Sequence, residues 1–276
     1  YPENTAVVVE YVYDNTQPQN RGGRAVTSAR AVSIKYQHSF IEVPDNDFEP
    51  RFADPRVGFF TQQVDDQTGL GPTPWRDVIK RWHLVKANPE AEVSDPVEPI
   101  TWWIENTTPE DLRPVIEKAA LRWNDAFEQA GFSNAIEIKV QPDTANWDAG
   151  DISYNVLRWT SSLTSPFGGY GPSFTNPRTG QILGADIMLE YVFMRNFVHS
   201  EKLFSEDVVD HFLNMGQPGH EHNHDEESFG MYCSMGHFMQ FSNIFGSAAL
   251  KALDFDDIDE EQLKHDALVY LIMHEL

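Results

Sequence analysis

His274 and Glu275 close an apolar run that extends from Ala267 to Met273. A window this apolar on every side reads as a helix buried all round. Imidazole and carboxylate are costly to desolvate, so such a position calls for a compensating partner, and a metal ion is one. His-Glu on a helix is also the first half of H-E-x-x-H, in which two histidines one turn apart hold zinc and the Glu is general base. His274 then supplies one zinc-ligating nitrogen, and Glu275 points to a different side of the helix, where it can meet a metal-bound water. The bland alternative is a helix end that reaches solvent, and composition alone leaves the two open. The sequence ends at Leu276, so the remaining ligands are expected beyond it.

Other clusters weigh less. His220, His222 and His224 alternate in a polar stretch between Gln217-Pro218-Gly219 and Asp225-Glu226-Glu227. That is loop composition, and a solvated loop is favoured over a second metal site. Asp143, Asp148 and Asp151 do not follow the spacing of a calcium loop and read as a turn. Cys233 lies among Met231, Tyr232 and Met235, as a buried thiol would. Phe167 to Pro172 is glycine-rich, lacks the Lys-Ser/Thr of a phosphate-binding loop, and reads as a loop.

The elements that must position His274 and Glu275 are legible in outline. Val7 to Tyr13, Ala31 to Val43 and Val78 to Lys86 are β-branched and aromatic runs that predict strands. Asn20 to Gly23 and Thr68 to Pro72 predict turns. Residues 88–99 are rich in proline and acid and mark a boundary. Beyond it, Ile100 to Ile104, Ile136 to Val140, Asp151 to Trp159 and Gln181 to Leu189 predict strands. Apolar residues from Leu112 to Ala130 follow helical spacing, with Pro114 in the first turn and Gly131 as the stop. Tyr191 to Met215 and Phe229 to Leu253 predict further helices, and Asp257 is a candidate cap for the last one. The expected fold class is α+β, with a β-rich domain and linker over residues 1–95 and a second domain over 96–276.

Composition narrows the function classes. With 41% hydrophobic and 12% aromatic residues in 276, the chain can bury the core of one large or two ordinary domains. A net charge of -23 argues against a nucleic-acid partner. A single cysteine rules out an internal disulfide. No apolar run of transmembrane length and no signal peptide is visible within these residues, and with the true N-terminus missing this says little about targeting. Tyr1 is not a Met and Leu276 falls inside a helix, so the chain reads as a fragment of a longer protein.

Several stretches together carry a resemblance. They are His38 to Asp45, Arg51 to Phe60, Arg81 to Leu84, Trp123 to Phe132, Asp151 to Asn155, Pro177 to Ile182 and Met273 to Leu276. In this order and spacing the chain resembles large bacterial zinc-dependent metalloproteases, whose metzincin-like catalytic domain follows a β-rich domain of unknown function. The resemblance implies a twisted mixed sheet with a backing helix and an active-site helix, the upper half of such a domain. It implies Zn2+ as cofactor, His274 as first ligand, Glu275 as general base and a polypeptide as substrate. The motif would continue as H-E-x-x-H-x-x-G-x-x-H past Leu276. The strand at Gly184, Ala185 and Asp186 is the candidate edge that pairs with an extended substrate. An extracytoplasmic location, periplasmic or secreted, is expected. The 276-residue chain, with one ligand, is expected to be inactive on its own. The rival class is a non-catalytic extracytoplasmic binding or adhesion module. Histidine is expected at the fourth and tenth positions after His274, because catalytic zinc takes three protein ligands. The gene sequence beyond Leu276 checks this, and another residue at the fourth position ends the peptidase reading.

Overall fold

Strands come first, as the β-branched alternation predicts. The computed structural model describes residues 4–19, 28–162, 169–191 and 260–276. The turn at residues 20–23, the helices expected over 191–215 and 229–253, the cap at Asp257, the histidines at 220–224 and Cys233 lie outside the described residues, apart from Tyr191. The chain forms two compact units, Tyr1–Asp47 and Phe48–Leu276. The boundary expected at residues 95 and 96 falls within the second.

In the first unit, β1 (Asn4–Asp14) pairs antiparallel with β2 (Ala31–Ile41), from Asn4 opposite Ile41 to Asp14 opposite Ala31. Alternation puts Val7, Val9, Tyr11 and Tyr13 on one face with Val32, Ile34, Tyr36 and Phe40. Tyr11 and Tyr36 meet edge to face at 5.4 Å. Such cross-strand pairs contribute roughly 0.2–1 kcal/mol each.

The second unit opens with a hairpin, β3 (Thr61–Asp65) and β4 (Trp75–Ile79), closed by the expected turn at Thr68 to Pro72. Asp66 shapes that turn by accepting from the Thr68 N–H at 3.0 Å and the Thr68 hydroxyl at 2.6 Å. The strand expected over Val78 to Lys86 stops at Ile79. From there the chain makes only single bridges, Arg81 with Gln181 and Lys86 with Pro96, because it runs past strand ends and loops.

The main sheet runs β6-β5-β7-β10-β8. Four strands are parallel: β5 (Ile100–Ile104), β6 (Ile136–Val140), β7 (Asn155–Thr160) and β10 (Ile182–Glu190). The short β8 (Gly169–Tyr170) and β9 (Ser173–Thr175) both lie antiparallel to β10. Helices α1 (Arg113–Leu121) and α2 (Trp123–Gln129) connect β5 to β6, and α3 (Glu260–Glu275) ends the chain. The fold is α+β and mostly strand, as expected.

One face of the sheet carries the core. Ile100, Trp102 and Ile104 of β5, Leu157 of β7, and Ala185, Ile187 and Leu189 of β10 meet Leu112, Ile116 and Ala119 beside α1. Leu268, Val269, Leu271 and Ile272 of α3 complete it. Burial of each such Leu or Ile contributes about 1.5–3 kcal/mol. The final helix is not buried all round. Tyr270 is 60% exposed and His274 shares its face; among the described residues α3 meets the sheet and α1.

The helical stretch expected as one breaks at Arg122. Its N–H turns back to Ala119 and Ala120 in a tightened turn, and α2 starts afresh at Trp123. Pro114 sits in the first turn of α1, as expected. Gly131 ends α2 at φ 93°, where its N–H bonds Glu128 O and the Phe132 N–H bonds Phe127 O. The break aims two side chains at other elements. Asn124 accepts from the Ile136 N–H at 2.8 Å and donates to Ile136 O at 3.1 Å, which clamps α2 to β6. The Trp123 indole donates to Met273 O at 3.1 Å, one of the helix-end carbonyls that have no partner within α3. Asn124→Ala orphans both Ile136 groups, so a loss of about 1–3 kcal/mol is expected. Urea unfolding should show it as a lower midpoint at an unchanged slope.

Candidate functional site

The spacing on α3 separates its two polar end residues. Glu275 follows Leu268, Leu271 and Ile272 at seven, four and three residues, so it continues the buried stripe. His274 follows Tyr270 at four and continues the exposed one. The carboxylate is therefore half-buried, and burial pushes its pKa up, with the N–H of Gly171 donating to it and pulling the other way. Its Oε1 is buried with no hydrogen-bond partner. A desolvated carboxylate with an oxygen to spare is suited to take a proton.

Glu275, His274 and Leu276 line a pocket of about 240 Å³. It is also lined by Trp102, Ala185 and Ile187 of the sheet and by Phe59, Phe60, Lys80 and Trp82. Trp82 and Trp102 meet edge to face at 6.4 Å. The connector that carries Lys80 and Trp82 is fastened to β10: the Arg81 N–H donates to Gly180 O at 3.1 Å and the Ile182 N–H to Arg81 O at 2.8 Å. Gly180 at φ 76° makes the tight turn before β10, and Asn176 closes that turn by accepting from the Arg178 N–H at 3.0 Å.

The stretch that reads as a glycine-rich loop, Phe167 to Pro172, holds a two-residue strand at Gly169–Tyr170, and Gly171 and Pro172 lie outside any strand. Gly169 pairs with Leu189, Tyr170 with Met188, Ser173 with Ala185 and Phe174 with Gly184. The Asp186 N–H donates to Pro172 O at 3.1 Å, so β8 and β9 follow one another along β10, separated by Gly171 and Pro172. Among the described residues their outer side pairs with no strand. Gly184, Ala185 and Asp186 lie inside the sheet, with β9 along one side of Gly184 and Ala185 and β7 beside Asp186. The Ala185 N–H also donates to Asn155 Oδ1 at 3.0 Å.

Asp186 faces away from the core, accepts from the Val156 N–H at 3.3 Å, and is pushed up to about 6 by burial. The favourable bond to Val156 and the charge of Arg158 only partly offset that. On the same strand Glu190 is 3% exposed and accepts from Thr160 Oγ1 at 2.8 Å and Ser162 Oγ at 2.7 Å.

Zinc would find one imidazole here, that of His274, where a catalytic site takes three protein ligands. Among the described residues no group of three His, Cys, Asp or Glu side chains gathers around a point. Asp148 and Asp151 instead accept from the N–H groups of Gly150 at 2.7 Å and Ser153 at 3.0 Å, forming the turn expected of them. His83 packs edge to face on Phe48 at 5.7 Å. No helix among the described residues is long and apolar enough to cross a membrane.

Residues 1–87 match a family described as a domain of unknown function, DUF5117. No curated protein and no solved structure matches the chain. The matched stretch includes Phe59, Phe60, Lys80 and Trp82, which line the pocket.

Asp186 gives the unit a pH dependence. Its folded pKa of about 6 lies above its ordinary 3.8, so its contribution is fully present below about pH 4 and lost as pH rises through 6. Asp186→Asn should raise stability at pH 7 by about 1 kcal/mol after solvent screening, and leave it unchanged at about pH 3.5. Urea midpoints at the two pH values check this.

Proposed function

We propose that residues 96–276 are the N-terminal part of the catalytic domain of a zinc-dependent metalloendopeptidase of the metzincin type, with Glu275 as general base. The observation that carries the reading is the Glu275 carboxylate, desolvated on the buried stripe of α3, with a partnerless oxygen at a pocket it shares with His274. A parallel sheet ending in an antiparallel edge, backed by helices, also supports it. So does the resemblance carried by Trp123 to Phe132, whose Trp and Asn fasten the end of α3 and β6.

His274 would be one of the zinc ligands, and the metal, when bound, would supply Lewis-acid polarisation of the scissile carbonyl. Glu275 takes a proton from the attacking water and returns it to the leaving amine, a role that a pKa raised by burial favours. The outer side of β8 and β9, which pairs with no strand among the described residues, would take an extended polypeptide, in place of the edge first expected at Gly184 to Asp186. An extracytoplasmic location belongs to the same proposal.

In the full-length protein Glu275→Gln should keep its zinc and lose hydrolysis by about 100-fold or more, since only the proton acceptor is removed. Elemental analysis and turnover of a denatured protein substrate are measured together. Undiminished turnover would exclude Glu275 as base.

A further inference from the structure

Two glycines on this edge, Gly169 in β8 and Gly171 just after it, both face Glu275 of α3. Neither has a positive φ, unlike Gly131 and Gly180, so backbone conformation does not call for glycine at either place. Glycine in a strand also weakens it. Space explains the choice. A Cβ on Gly169 would lie 2.9 Å from both Cγ and Oε1 of Glu275 and 3.0 Å from its Cδ. A Cβ on Gly171 would lie 2.6 Å from the Glu275 carbonyl oxygen and 3.4 Å from Oε2. Gly184 on the neighbouring strand has ordinary room, its nearest atom being Ile152 O at 3.4 Å.

We infer that Gly169 and Gly171 are positioning residues for Glu275: the bare backbone of the edge seats the carboxylate, and Gly171 donates its N–H to it. The two act on different parts. Gly169 faces the side chain of Glu275, whose carboxyl end can swing aside, so a methyl group there moves the carboxylate and spares the fold. Gly171 faces the helix main chain, so a methyl group there displaces the last turn of α3. The catalytic meaning of this seat rests on the peptidase reading; the packing does not.

A double-mutant cycle on the 276-residue chain separates the parts. Gly169→Ala and Gly171→Ala are each made in the native and in the Glu275→Ala background, and urea midpoints are compared. Gly169→Ala should shift the midpoint in the native background and leave it in place once the Glu275 side chain is gone. Gly171→Ala should lower it in both. In the full-length protein Gly169→Ala should lower kcat by at least about tenfold with KM unchanged, as misplacement of a catalytic group does. Equal effects of Gly169→Ala in the two backgrounds, zero included, would overturn the seat, and so would an unchanged kcat. Full activity in Glu275→Gln would instead remove the peptidase reading, and the cycle, which needs no substrate, would still decide the packing.

Discussion

A carboxylate placed on the buried stripe of α3 sets the terms for its surroundings. Glu275 occupies a helical position that Leu268, Leu271 and Ile272 define as inward. Its desolvation is only partly relieved, by the one N–H of Gly171. A helix end free to unwind would let the group escape to water, and this end is held. Trp123 takes the carbonyl of Met273, and the Leu276 N–H donates to Ile272 O at 3.1 Å. Asn124, the next residue in α2, is bonded to both main-chain groups of Ile136. The site helix and the far edge of the sheet are thus referenced to adjacent residues of one short helix.

The sheet edge completes the arrangement from the other direction. It approaches α3 closely enough that side chains on its inner face are excluded at Gly169 and Gly171. The cost is an edge with little propensity of its own, and β10 compensates by pairing with β8 at Met188 and Leu189 and with β9 at Ile182, Gly184 and Ala185. β10 also receives the Arg81 connector, so one strand organises both the edge and the wall of the pocket that bears Lys80 and Trp82.

Much of this is legible in the sequence where one local signal dominates. Ile100 to Ile104 and Ile136 to Val140 are strands at the expected bounds, and Gly131 stops its helix. Elements defined by tertiary contact are not legible in the same way. The edge carries no β-branched signal over residues 169–171, because a side chain at Gly169 or Gly171 would collide with Glu275. Gly169, Tyr170 and Gly171 therefore read as loop, and the i, i+2 glycine spacing is the one available clue. Asp186 belongs to the outer face of an interior strand, and nothing local to Gly184, Ala185 and Asp186 tells interior from edge. The break at Arg122 interrupts no apolar periodicity and so leaves no mark. Of the site, His274 and Glu275 are visible from their types, whereas the pocket residues Phe59, Lys80 and Trp82 lie too far away in sequence to be associated with them.

The bridge between Arg81 and Gln181 carries a consequence for ancestry. The family match ends at residue 87, but the folded unit that starts at Phe48 does not respect that border. A genetic exchange that brought in a foreign partner on either side of residue 87 would have to preserve the seam at Arg81, Gly180 and Ile182. Residues 48–87 and the sheet are therefore expected to descend together, changing in concert at their shared wall rather than as interchangeable modules.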